Sequence, residues 1–240
     1  MRLEFDVRHT LAPRRGTAGT GRVYGQFGLE PEQGERVYVE PFAIEAGPGQ
    51  IVAFVGTSGS GKTSCLRQFA AQTGAADLAA LPVDQGAPLI DQLGSWDRAV
   101  AIAARCGLAE AQLLCRLPDE LSDGQRYRFA LARAVAGGTK TLICDEFLAT
   151  LDRTTAKVVA YNLRRVVTEE GLLVGVATTH EDILADLAPD HLVRFDGTRA
   201  VVDRGEGRPK AFHSGPTWPL PEARAPTGRA SLAGITAATR

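Results

Sequence analysis

Three short apolar runs punctuate the middle of the chain, at Ile51–Val55, Thr141–Cys144 and residues 172–177, each followed by a stretch with helical spacing. Apolar runs this short and without alternation suit strands covered on both faces, so the pattern predicts a mostly parallel, buried sheet of the α/β class. Upstream, residues 22–27 and 36–44 are β-like pieces broken by Gly16, Gly19, Gly21, Pro31 and Gly34. They predict an antiparallel β-layer ahead of the main sheet. Residues 89–136 are rich in Ala and Leu and poor in β-branched residues, which predicts helices, with Gly107 as the stop after a helix over 99–106. Residues 190–203 read as a closing hairpin around an Asp196-Gly197 turn. Beyond Pro209 the chain turns to Pro, Ala, Gly, Arg and Thr, and residues 206–240 are expected to be a flexible, solvated tail of net charge +3.

Composition narrows the classes of function only a little. The 240 residues carry 27 Lys and Arg against 28 Asp and Glu, a net charge of −1, so no overall charge recruits nucleic acid or an anionic membrane. No apolar run approaches the ~18–20 residues of a spanning helix. Acidic residues stand where a secretory signal would place its apolar core, so a cytoplasmic location is expected. Cys65, Cys106, Cys115 and Cys144 form no Cys-x-x-Cys pair and are read as buried, reduced thiols.

The first chemical signal is Gly56-Thr57-Ser58-Gly59-Ser60-Gly61-Lys62-Thr63, which matches G-x-x-x-x-G-K-[ST] between an apolar strand and a helical segment that begins at Ser64. Glycines let successive backbone N–H groups curl around an anion, and the following helix adds its positive N-terminal end. Lys62 is placed to reach the β- and γ-phosphates of a nucleotide, and the Thr63 hydroxyl to sit on Mg²⁺. Downstream, the strand at 141–144 ends in Asp145 and Glu146. Asp145 suits magnesium, and Glu146, one residue on, suits the attacking water. Many unrelated proteins share such a loop, so it specifies nucleotide binding and leaves function open.

Leu121-Ser122-Asp123-Gly124-Gln125 narrows the choice. Ser122 is an N-cap, Gln125 completes a capping box, and Gly124 permits a close approach, together an anion-ready helix start. Lying just ahead of the Asp145 strand, the run resembles the signature motif of ATP-binding cassette (ABC) ATPases. Other family markers follow in order. Gln85 stands in the place of the glutamine that couples magnesium to the helical subdomain, Asp152 in that of the D-loop acid, and His180 in that of the switch histidine at the γ-phosphate. The resemblance covers about residues 20–205. It implies a P-loop NTPase core of ABC type with an N-terminal antiparallel β-layer and a small helical subdomain at about 86–136, within an ATP-binding domain over 1–205. It also implies ATP and Mg²⁺ as cofactors and a head-to-tail dimer, in which Ser122 and Gly124 of one copy touch the γ-phosphate held by the other.

Three features depart from the family pattern. Asp123 stands where Gly is usual, and a carboxylate beside a triphosphate repels it unless it turns away or meets an arginine. The adenine-stacking aromatic of the β-layer is assigned to Phe27, with Tyr24 also upstream and Tyr38 nearer the loop. Only 23 residues separate Lys62 from Gln85, and 36 separate Gln85 from Leu121, both short for a transporter cassette. The first expectation is the energising ATPase of a transporter, peripheral at the membrane through a separate spanning subunit. The alternative is a non-transport ABC ATPase acting on a soluble protein or nucleic acid. The presence of both Glu146 and His180 argues against a module that binds ATP without hydrolysing it.

Overall fold

A computed structural model describes residues 1–11, 16–30 and 34–205; the predicted tail lies outside the described residues. The chain runs β1 (Arg2–Leu11), α1 (Ala18–Phe27), β2 (Gly34–Glu45), β3 (Ile51–Val55), α2 (Lys62–Thr73), β4 (Ala76–Asp77), α3 (Trp96–Arg105), α4 (Ala111–Leu114), α5 (Asp123–Ala136), β5 (Thr141–Cys144), α6 (Arg153–Glu170), β6 (Leu173–Thr178), α7 (Leu184–Leu187), β7 (His191–Asp196) and β8 (Arg199–Arg204). Strands β4-β5-β6-β3-β7-β8 form one sheet in that order, and β1 and β2 form an antiparallel ribbon. All sheet pairings are parallel except β7 with β8.

All five residues of β3 are buried, because both faces of the sheet are covered. Ile51, Ala53 and Val55 face a core shared with α3, α5 and α6, whereas Val52 and Phe54 face a second core built with α2 and the ribbon. Leu89, Leu93, Ile102 and Phe129 belong to the first of these clusters, so the helical stretch is packed onto the sheet instead of closing around a core of its own. After α2 the chain passes directly to the two-residue edge strand β4, a physical form of the short spacing before Gln85. Among the described residues no helix is long and apolar enough to cross a membrane.

The predicted stop at Gly107 is present. Its φ is +81°, its N–H donates to the Ala104 carbonyl and that of Leu108 to Ala103, so the last turn of α3 is closed as in a Schellman motif. The closing hairpin is shifted by one residue: Asp196 pairs with Arg199, so Gly197 and Thr198 form the loop. Thr198 is tied to β2 by its carbonyl, which accepts from Glu40 N–H at 2.8 Å, and by its hydroxyl, 2.9 Å from Glu40 Oε1.

The β-layer needs a larger correction. Residues 22–27 belong to helix α1, opened by a reciprocal capping box between Thr17 and Thr20 and closed by Gly28 in a left-handed conformation. The second strand of the layer is instead β1, where Leu3, Phe5 and Val7 are buried between exposed Arg2, Glu4, Asp6 and Arg8. Of the four thiols, Cys65, Cys106 and Cys144 are buried, and burial pushes each up to about 12; Cys115 is exposed.

One buried ion pair locks the lower end of the sheet. The Arg164 side chain on α6, only 3% exposed, donates to Asp190 Oδ2 at 2.6 Å and to the Gly49 carbonyl at 2.7 Å, while Asp190 Oδ2 accepts from Ile51 N–H at 2.7 Å. Removing the guanidinium strands the Asp190 carboxylate and the Gly49 carbonyl. Arg164→Ala is expected to cost about 3–5 kcal/mol of stability, read as a shift of the guanidinium chloride midpoint at unchanged slope.

Candidate active site

The loop over residues 56–61 leaves the C-terminal end of β3 and delivers Gly61 as the N-cap of α2. Gly61 has φ +96°, and a Cβ there would stand 2.6 Å from Val39 Cγ2, so glycine is required both by conformation and by the ribbon seated against the loop. A cavity of about 470 Å³ opens here. From the loop and α2 it takes Ser58, Gly59, Gly61, Lys62, Thr63 and Ser64; from the neighbouring strand ends, Asp145, Glu146, Thr178 and Thr179. Gly56, Thr57 and Ser60 are not part of this lining: Ser60 Oγ is buried without a hydrogen-bond partner among the described residues, and a Cβ at Gly56 would meet it at 2.9 Å.

Lys62 Nζ donates to the Thr57 carbonyl at 2.6 Å, folding the ammonium back over its own loop. Burial lowers its pKa below that of an ordinary lysine, opposed by the carboxylates of Asp145 and Glu146. Thr63 Oγ1 donates to Asp145 Oδ1 at 3.1 Å, bringing together two oxygen donors from different elements. A hydroxyl and a carboxylate at the edge of a phosphate cradle form a donor set that fits Mg²⁺, which takes few protein oxygens and completes its shell with water and phosphate.

Glu146 follows in a left-handed conformation, φ +47°, uncommon for a residue with a side chain. The turn is held by Phe147 N–H on the Ala177 carbonyl, 2.8 Å, and by Thr178 Oγ1 on the Phe147 carbonyl, 3.3 Å. Both bonds tie β5 to β6 and aim the carboxylate-bearing turn into the cavity.

The aromatic at the cavity is Tyr38, not Phe27. Phe27 ends α1, is 69% exposed and does not line the cavity, because the segment assigned to the β-layer is helical. Tyr38 on β2 does line it, together with His9 on β1, whose ring meets Tyr38 edge-on at 4.7 Å; Arg36 lies 5.1 Å over the Tyr38 ring. His9 is not among the expected site residues; it lies past the alternating Leu3–Val7 stretch of β1, with no local signal of its own.

The remaining predicted residues lie around this cavity and not in its lining. His180 follows β6 with its backbone N–H on Thr178 Oγ1 at 3.1 Å. Gln85 lines a neighbouring cavity of about 740 Å³, which it shares with Asp145, Asp123 and Tyr127. Asp152 caps α6 by accepting from Thr155 N–H at 3.0 Å, and hydrogen bonding from the Thr155 side chain, then from its backbone, holds the Asp152 carboxyl below the usual range.

At the signature run, Ser122 and Gln125 form the reciprocal capping box, with bonds of 3.4 and 3.0 Å. Asp123 meets an arginine, Arg126, at 3.4 Å. Leu121 is buried, and Gly124 is buried against α6: a Cβ there would stand 2.6 Å from Thr155 Cγ2. Glycine at 124 therefore lets the signature helix and the helix capped by Asp152 touch.

A phosphate loop between a central parallel strand and its helix, with a hydroxyl–carboxylate pair at the end of a nearby strand, defines a nucleotide-binding protein of the phosphate-loop class. No protein-family model matches the chain. The aliphatic sulfonates import ATP-binding protein SsuB of Ralstonia nicotianae is 31% identical over 209 residues, 76% of this chain and 72% of that protein. The methionine import ATP-binding protein MetN of Cereibacter sphaeroides is 36% identical over 145 residues, 59% of this chain; the match spans only 36% of that relative's length. A bacterial ABC transporter cassette solved as a dimer superposes with a TM-score of 0.54 at 16% identity, covering 75% of this chain and 94% of that one. The chain belongs to the ABC ATPase family.

Proposed function

We propose that this chain is a Mg²⁺-dependent ATPase that works as a head-to-tail dimer and energises an ABC transporter through a separate membrane-spanning subunit. The observation that carries the chemistry is the convergence of Thr63 and Asp145 beside the loop, with Glu146 in the same cavity. The relatives' names, which describe import ATP-binding proteins, support the transport role.

In this reading residues 1–205 are the ATP-binding domain, with 86–136 as its helical part. The backbone N–H groups of the loop and the N-terminal end of α2 hold the phosphates, and Lys62 neutralises the β- and γ-phosphate oxygens. Thr63 and Asp145 would hold Mg²⁺, with Gln85 approaching from the cavity that shares Asp145. Bound there, the ion would screen the phosphate charge and orient the terminal phosphoryl group. Glu146 orients the attacking water and takes its proton, and His180 approaches the γ-phosphate from the end of β6. Most of the rate enhancement is positioning and charge neutralisation. Ser122 and Gly124 start a helix outside the lining of their own chain's cavity, so they act on the nucleotide of a second copy, with Asp152 facing that copy across the dimer.

Tyr38 is the base platform. Tyr38→Ala is expected to weaken ATP binding by about 1–3 kcal/mol, roughly five- to 150-fold, while Phe27→Ala leaves the Kd unchanged, as titration calorimetry can read. The transport role is tested by holding tagged Glu146→Gln protein closed with Mg-ATP in its own host and identifying what co-purifies from detergent extracts. A stoichiometric polytopic membrane protein is the expected result. A soluble protein or nucleic acid alone would make the chain a non-transport ATPase.

A further inference from the structure

Strand β6 is apolar along its length, from Leu173 to Ala177, until it ends in Thr178. Thr178 is only 1% exposed and pairs with Val55, the last residue of β3 before the phosphate loop. Valine has the same branched shape and suits a buried strand at least as well, so packing gives no reason for a hydroxyl here. A polar group in such a place has to find partners within the protein.

Both sides of this hydroxyl are used. Thr178 Oγ1 donates to the Phe147 carbonyl at 3.3 Å and accepts from His180 N–H at 3.1 Å. The first partner belongs to the residue that follows Glu146, whose backbone stands in the left-handed region at φ +47°. The second is the backbone of His180 itself. One hydroxyl therefore bridges the turn that carries the carboxylate and the residue at the end of β6. The bond from Phe147 N–H to the Ala177 carbonyl, 2.8 Å, also ties the turn to β6, but it does not reach His180. A hydroxyl has a single proton, and here it is committed to Phe147, so Thr178 is not free to donate to a nucleotide.

We propose that Thr178 is a positioning residue for ATP hydrolysis: its hydroxyl holds the Glu146 turn and His180 at a fixed offset, so that the carboxylate meets the attacking water while the histidine stands at the γ-phosphate. This rests on the roles given above to Glu146 and His180. A left-handed turn at a residue with a side chain persists only when its surroundings hold it there. Misplacing a reacting group by about 1 Å can cost about 100-fold in rate. Binding, by contrast, is the work of the loop and Lys62, whose contacts the two bonds leave untouched. The hydroxyl therefore acts on kcat and not on ATP affinity.

Thr178→Val keeps the shape of the side chain and removes both bonds. Steady-state hydrolysis by the full chain is expected to show kcat lowered about ten- to 100-fold, while titration calorimetry gives a Kd for Mg-ATP within about twofold of the parent. Thr178→Ser keeps the hydroxyl and should restore most of kcat. Thr178→Ala removes the hydroxyl without adding a methyl against the two backbone groups, and its kcat should fall as in Thr178→Val. Thermal melts establish that each variant is folded at the assay temperature. Parent-like kcat in Thr178→Val and Thr178→Ala, equal losses in Thr178→Ser and Thr178→Val, or an ATP affinity that falls in step with kcat would overturn the proposal and leave the assignment of Glu146 in place. A parent chain that hydrolyses no ATP would instead overturn the catalytic reading of the cavity, and this proposal with it.

Discussion

Glu146→Gln protein is expected to bind Mg-ATP as tightly as the parent and to hydrolyse it about 10²–10⁴-fold more slowly, the contribution of a positioned general base. The substitution keeps the shape and hydrogen-bonding reach of the side chain and removes its ability to take a proton. It should also leave the fold undisturbed, because the turn is held by backbone and Thr178 bonds and not by the Glu146 side chain. Single-turnover hydrolysis and equilibrium binding, measured on the same preparation, separate the two effects. Hydrolysis at the parent rate would remove Glu146 from the mechanism.

Lys62→Ala acts one step earlier. The ammonium sits at the mouth of the cavity with two carboxylates nearby, and without it the cavity is left with the negative charge of Asp145 and Glu146 facing a polyanion. Truncating one partner of such a desolvated pair costs about 2–5 kcal/mol, so the Kd for ATP should rise about 30-fold or more. Because among the described residues Lys62 Nζ bonds the Thr57 carbonyl alone, the melting temperature without nucleotide should hardly change. The variant is checked by titration calorimetry beside a thermal melt. Unchanged affinity would mean that the loop does not hold the phosphates in the way its geometry suggests.

What could be read from the residues follows the strength of local signals. β3, β5 and β6 are legible because a strand buried on both faces must be apolar throughout, and no competing element produces so short a run. The phosphate loop is legible because its glycines answer to backbone geometry. Helix α1 is not legible because Gly19, Gly21 and Gly25 mask it and none of its residues is buried, so it lacks the apolar stripe that marks most helices. The alternation of β1 is confined to Leu3–Val7, and His9 lies beyond it, after the register shifts at Val7. Tyr38 takes the place of Phe27 because of α1: with residues 22–27 helical, the ribbon strand beside the loop is β2, and of its aromatics Tyr38, next to Val39, is the one that lines the cavity. Long-range contacts such as Gly124 against Thr155 could not be read at all, since nothing local at either position announces the other.

The central claim is that one chain holds ATP and another completes the site. Its most direct test is light scattering of purified Glu146→Gln protein with and without Mg-ATP. The expected result is a monomer that becomes a dimer of twice the mass only with Mg-ATP, and that fails to do so when Ser122 is replaced by a bulky residue such as Arg. A protein that binds Mg-ATP and remains monomeric, or whose dimer is indifferent to Ser122→Arg, would contradict the composite site.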